Sequence, residues 1–133
     1  EIGVRLVGSE MCIRDSDKFA RTQGFARTDE ALKANAIHAR QIAKQHECAI
    51  FYMSQLSADA ENKVVLNQAM MEGSRTGKAA EADLMILIAK NPPVEGQEEE
   101  DTQRHLNVVK NKLSGWHGIV HCELNYKTAR YEV

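Results

Sequence analysis

The order of predicted elements indicates an α/β domain. An amphipathic helix comes first, because apolar residues recur at helical spacing after a capping signal and an acidic first turn at 28–30. Those apolar residues are Leu32, Ala36, Ala39 and Ala43. Two short apolar runs, at 48–54 and 84–90, are typical of central strands covered on both faces. Three more strands are predicted at 104–112, 118–124 and 129–133, and the short turns between them indicate closing hairpins.

Length and composition favour one globular domain. A chain of 133 residues can bury a useful core, and its net charge of −2 means that any nucleic-acid site must be a local basic patch. No apolar stretch is long enough for a membrane span, so no membrane partner is expected. Cys12, Cys48 and Cys122 are odd in number and far apart, which favours free thiols and a cytoplasmic location.

The first sixteen residues are set apart from the rest. EIGVRLVGSEMCIRDS has no clear structural period and resembles the peptide that arises when sequencing-adapter DNA is translated. The alternative is a natural strand, because Ile2, Val4 and Leu6 alternate. We favour the first interpretation, which makes 1–16 a non-native segment and 17–133 the natural domain. The natural protein is then expected to continue upstream.

A long polar excursion at 55–83 separates the two apolar runs, with one short helical piece expected in it. Its segment GSRTGKA (73–79) does not fit a phosphate-binding loop. Three residues rather than four precede the Gly-Lys pair, and Ala79 has no hydroxyl for magnesium. A flexible glycine-rich loop carrying two cations is expected instead.

No metal site is predicted. His117 and His121 are four residues apart, but that spacing converges on a metal only in a helix, and this segment is predicted as turn and strand. His46-Glu47-Cys48 has no partner at a suitable spacing. Structural or surface histidines are expected, with Cys122 as a small buried residue beside Val120 and Leu124.

Two polar pairs at strand ends are candidates for phosphate binding. Ser54 and Gln55 follow the first apolar run, and ligands of open α/β sheets bind beyond the carboxyl ends of strands. Turn capping explains this pair equally well. Lys110 and Lys112 are two residues apart and should share a strand face with Leu106 and Val108. From pattern alone, a solvated strand end explains these lysines somewhat better than a polyphosphate partner does.

Taken together, residues 17–133 resemble the C-terminal part of the RecA-fold motor of DnaB-like replicative helicases, including phage primase-helicases. The segments that carry the resemblance are AIFYMSQLSA, GSRTGKAAEADLMILIAK, LNVVKNKLSGWHGIVHCELNYKTARYEV and the helix DEALKANAIHARQIAKQHECA. Their order and spacing matter more than any single motif. The resemblance implies a partial RecA-like P-loop ATPase core, with a helix, parallel central strands and terminal antiparallel hairpins.

The resemblance also implies roles for individual residues. Gln55 would sense the γ-phosphate of ATP, and Lys110 and Lys112 would reach the nucleotide of a neighbouring subunit. A loop within 57–78 would contact single-stranded DNA, with further contacts from the loop before the helix. Its DNA-binding candidates are Arg75, Gly77 and Lys78, followed by Arg21 and Arg27. The implied parent is an ATP- and Mg²⁺-dependent ring, a hexamer of identical subunits, that unwinds DNA in the 5′-to-3′ direction and works with a fused or separate primase.

Several features depart from that family. Lys112 stands where arginine is common, and lysine lacks the planar fork of a guanidinium group. Ala80 stands where glutamine is expected. The sequence contains no GxxxxGK[ST] motif, so the isolated chain is expected to bind nucleotide poorly and to hydrolyse none. The alternatives are a RecA- or RadA-like recombinase fragment and a non-enzymatic nucleic-acid-binding adaptor.

Overall fold

The structure is a computed structural model that describes residues 10–13, 28–71, 75–94, 96 and 101–133. The chain divides into two compact units. The first unit comprises residues up to Leu56 together with Met71–Ala82, and the second comprises Ser57–Met70 and Asp83–Val133.

The first unit contains two helices and a pair of parallel strands. Strand β1 (Glu10–Ile13) pairs in parallel with β2 (Ala49–Tyr52), and helix α1 (Thr28–Gln45) connects them in sequence. A second helix, α2, spans Arg75–Glu81. The strand β1 lies inside the segment that the sequence sets aside as non-native, and its place in the sheet was not predicted. The adapter origin of 1–16 concerns the nucleotide sequence and stays a prediction.

Helix α1 confirms the predicted amphipathic pattern. Its buried stripe consists of Ala31, Leu32, Ala36 and Ala39. Lys33 and Lys44 are exposed on the opposite side, as the helical period requires. Burial of this stripe stabilises the helix, because propensity alone seldom holds a helix in water.

The second unit is a four-stranded antiparallel sheet with one excursion packed onto it. The strands β3 (Leu84–Lys90), β4 (Gln103–Asn111), β5 (Gly118–Asn125) and β6 (Arg130–Glu132) are neighbours in chain order. This arrangement confirms the predicted meander at the end of the chain. Before β3, residues 57–70 form a loop closed at its base, where Ser57 N–H and Oγ both donate to Met70 O at 2.7 and 3.0 Å.

The prediction that both apolar runs are covered on two faces is wrong. In β3 the buried residues alternate with Leu84, Ile86 and Ile88, which are 44–46% exposed. In β2, Phe51 is 54% exposed. An apolar run has the same sequence whether one or two faces are covered, so periodicity could not distinguish these cases. Moreover β3 is an edge strand of an antiparallel sheet, where one covered face is common.

The turn between β4 and β5 depends on backbone conformation at Gly115. Its φ is +76°, its N–H donates to Asn111 O at 3.0 Å, and a Cβ atom added there would have no neighbour within 4 Å. We therefore expect Gly115→Val to lower the free energy of unfolding by about 1–2 kcal/mol, because a β-branched residue is strained at positive φ. Gly115→Asn should cost less, since asparagine tolerates this region. Urea unfolding measures both, and equal losses would show that backbone strain is not the cause.

Candidate functional site

The first candidate site is the corner that follows β2. The strand ends at Tyr52, and Ser54 and Gln55 come directly after it without regular structure. The side chain of Gln55 is exposed, whereas Ser54 Oγ accepts a hydrogen bond from Lys78 Nζ at 2.7 Å. The sequence correctly placed a polar pair where the chain leaves the strand. The structure adds Lys78 as its hydrogen-bonding partner.

The expected glycine-rich loop at 73–79 is wrong for its second half, which is helix α2. Lys78-Ala79-Ala80-Glu81 are good helix formers and outweigh the cost of Gly77, about 1 kcal/mol relative to alanine. Gly77 and Lys78 are both buried, and Lys78 is only 4% exposed. The proposed DNA-contacting role of these residues stays a prediction, but the ammonium group of Lys78 lies inside the unit.

Other DNA-binding candidates are only partly placed. Arg75 is the first residue of α2. Arg21 and Arg27 lie outside the described residues. At the other end of α2, Arg40 donates from its guanidinium to Glu81 O and pairs with the Glu81 carboxylate at 3.8 Å. A cation at a helix C-terminus complements the dipole of the helix, so Arg40 fixes this end of α2 to α1.

The second candidate site is the pair of lysines at the end of β4, in the second unit. Lys110 lies within β4, and Lys112 follows its last residue. The backbone N–H of Lys112 donates to Asp83 O at 2.8 Å, and its Nζ lies 3.3 Å from Asp83 Oδ1. Both side chains of this ion pair are about half exposed, so it contributes little to stability. A phosphate could therefore displace Asp83 from Lys112 at small cost.

The expected face of Lys110 is wrong, because β4 contains a bulge. Met85 pairs with Lys110, but Ile86 pairs with Val108, so the register shifts at Val109. Paired residues point to the same face of a sheet, and neighbours along β3 point to opposite faces. Lys110 therefore lies on the opposite face from Val108. An extra residue of this kind re-aims side chains near a strand end, and nothing in the sequence marks it.

Buried amide groups tie the excursion at 57–70 to β4. Asn107 is 2% exposed; its Oδ1 accepts from Leu66 N and its Nδ2 donates to Val64 O, both at 3.0 Å. Gln68 Nε2 donates to Val109 O at 2.9 Å, at the bulge itself. Sequence reasoning missed both roles. The available signal was one polar residue, Asn107, inside an apolar strand pattern.

The histidines serve as hydrogen-bonding groups. Buried His105 lies between Asn91 Oδ1 and His121 Nδ1, each 2.8 Å from one of its ring nitrogens. His117 Nδ1 lies 2.8 Å from Gly115 O. These contacts confirm structural roles for His117 and His121, and Cys122 is buried as expected. Within the described residues, no group of three or more His, Cys, Asp or Glu side chains could hold a metal ion.

Comparison with solved structures identifies the fold. This chain is similar to the ATPase domain of a DnaB-like replicative helicase, with a TM-score of 0.69 and 12% identity over 84% of this chain. The chain has the RecA-like fold of a DnaB-like helicase ATPase domain. It is also similar to a second DnaB-like replicative helicase, described with its interactions with primase, with a TM-score of 0.64 and 12% identity over 84% of this chain.

The likeness covers part of each larger structure. This chain spans 39% of the first ATPase domain and 26% of the helicase described with primase. No protein-family model and no curated protein matches the sequence. Among the helices of the described ranges, none is long and apolar enough to cross a membrane.

Proposed function

We propose that this chain is part of the motor of an ATP-dependent replicative DNA helicase, which moves along single-stranded DNA and unwinds duplex DNA as a ring. The observation that carries the proposal is the fold shared with DnaB-like helicase ATPase domains. A fold alone hosts many functions, so the local sites must support the choice. The two sites at strand ends do so.

Gln55 is the proposed sensor of the γ-phosphate. It stands exposed just past a strand end, where a side-chain amide can donate to a phosphate oxygen. Arg75 and Gly77, with the segment before them, are the proposed contacts to the DNA backbone. Arginine suits this role because its guanidinium group matches the geometry of a phosphate, and glycine lets a backbone approach closely.

Lys110 and Lys112 are proposed to act on the nucleotide of a neighbouring subunit. Two ammonium groups at one hairpin can stabilise charge that develops on a transferring phosphoryl group. The residues of this chain do not by themselves fit an ATP–Mg²⁺ site, because the sequence has no GxxxxGK[ST] motif and the described residues hold no cluster of three or more metal-ligating side chains. No step is therefore assigned to a metal ion.

The ring of identical subunits, a hexamer in this proposal, follows from that arrangement, since each hairpin needs an adjacent nucleotide site. A primase is a proposed partner, because one of the similar helicases was described with its interactions with primase. The proposed setting is the cytoplasm of a bacterial cell, where the protein is encoded by the cell or by a phage.

Unwinding of forked DNA by the full-length protein tests the proposal. We expect ATP-dependent separation of a fork whose 5′ tail is single-stranded, and none when only a 3′ tail is present. Strand exchange between homologous duplexes without unwinding would instead support a RecA- or RadA-like recombinase. DNA binding that is independent of ATP, without hydrolysis, would support an adaptor.

A further inference from the structure

Lys78 is a charged side chain buried inside the first unit, and this burial needs an explanation. It is 4% exposed, and its Nζ donates to Ser54 Oγ at 2.7 Å. Lysine is almost never fully buried unless polar partners compensate the lost hydration. A lysine that served only to touch a DNA strand would keep its ammonium group in solvent. The buried position therefore indicates a role within the unit.

The acceptor of this hydrogen bond lies beside the proposed phosphate sensor. Ser54 directly precedes Gln55, and both follow the end of β2 without regular structure. The backbone has only two soft dihedral angles per residue, so fixing the Ser54 side chain restricts the direction of Gln55. Lys78 can thus act on Gln55 through Ser54.

The donor stands on a helix whose other end is also fixed. Helix α2 carries Lys78 in its last turn, and Arg40 holds Glu81 at the helix C-terminus. A hydrogen bond of this kind weakens within a few tenths of an ångström. A displacement of α2 therefore changes the contact between Lys78 and Ser54 before it disrupts the helix.

We infer that Lys78 is a positioning residue that couples helix α2 to the corner at Ser54 and Gln55. It holds Ser54 so that Gln55 keeps one orientation, and it transmits movement between the helix and the corner. The contact stands on the structure alone. Its meaning as a link between DNA at α2 and phosphate at Gln55 rests on the proposed function.

Amide hydrogen exchange on the 133-residue chain tests the coupling directly. The variants are Lys78→Met, which keeps the length but removes the donor, Ser54→Ala and the double variant. We expect exchange at residues 54–56 to rise about tenfold in each single variant and no further in the double variant, because one local hydrogen bond is lost in all three. Lys33→Met, at an exposed position of α1, is the matched control and should change nothing.

Two results of this experiment overturn the inference. One is unchanged exchange at 54–56 in Lys78→Met. The other is a rise that spreads evenly over α1 and the corner, which would show general destabilisation of the unit instead of a local link.

Hydrolysis of ATP by the full-length protein gives the second readout. Lys78→Met should lower the stimulation of hydrolysis by single-stranded DNA, while DNA affinity without nucleotide stays unchanged. Loss of DNA affinity with normal stimulation at saturating DNA would make Lys78 a direct DNA contact and overturn the inference. If the unsubstituted protein hydrolyses no ATP, the proposed function fails, whereas the exchange experiment still decides the role of Lys78.

Discussion

Replacing Lys112 by alanine in the full-length ring should lower DNA-stimulated ATP hydrolysis by about 100-fold or more, because one preorganised positive group at a developing charge contributes that much. Nucleotide binding should stay unchanged, since the ammonium group acts on a neighbouring subunit's phosphates when they react. The hydrolysis rate at saturating ATP, measured beside nucleotide affinity, separates the two effects. Unchanged hydrolysis would remove Lys112 from this role.

Three companion variants sharpen that experiment. Lys127→Ala removes an exposed lysine from the turn between β5 and β6 and should leave hydrolysis unchanged. Lys112→Arg should keep or raise the rate, because a guanidinium group can contact two phosphate oxygens at once. Asp83→Asn removes the charge that pairs with Lys112 and should not lower the rate, since that half-exposed pair holds the ammonium group only weakly.

Replacing Asn107 by alanine should lower the free energy of unfolding by about 3 kcal/mol, because it leaves a buried N–H at Leu66 and a buried carbonyl at Val64 without their partner. Urea unfolding, followed by circular dichroism, measures this loss. The excursion at 57–70 should detach from β4 in the same variant, which amide exchange at Leu66 would detect.

The matched control is Asn67→Ala, in the same excursion. Asn67 is exposed and accepts one hydrogen bond, from Ala69 N at 2.9 Å. Water can replace this bond, so the expected cost is about 1 kcal/mol or less. Equal losses at positions 67 and 107 would contradict the view that burial makes the Asn107 amide important.

Local patterns in the sequence were enough to predict the long helix and the closing hairpins. The stripe that contains Leu32 and Ala36 specifies a helix through its 3.6-residue period, and turns around Gly115 mark where antiparallel strands reverse. These features depend on neighbours in the chain. The position of Ser54 and Gln55 beyond a strand end was predictable for the same reason.

Features that depend on distant parts of the chain were not predictable. The bulge at Val109 places Lys110 on the opposite face from Val108, and it depends on the pairing of β4 with β3. The burial of Lys78 depends on Ser54, which is 24 residues away. The alternation of exposure along β3 depends on which face is packed. A single sequence carries no local signal for any of these.

Mixing two inactive forms of the full-length protein tests most directly whether the lysine hairpin serves another subunit's ATP. One form carries Lys112→Ala, and the other has an inactivated nucleotide site but an intact hairpin. In a ring of repeated head-to-tail contacts, an equal mixture should recover about a quarter of the unsubstituted rate, because half of the sites and half of the hairpins are intact. A mixture that stays as inactive as its two components would contradict this role of the hairpin.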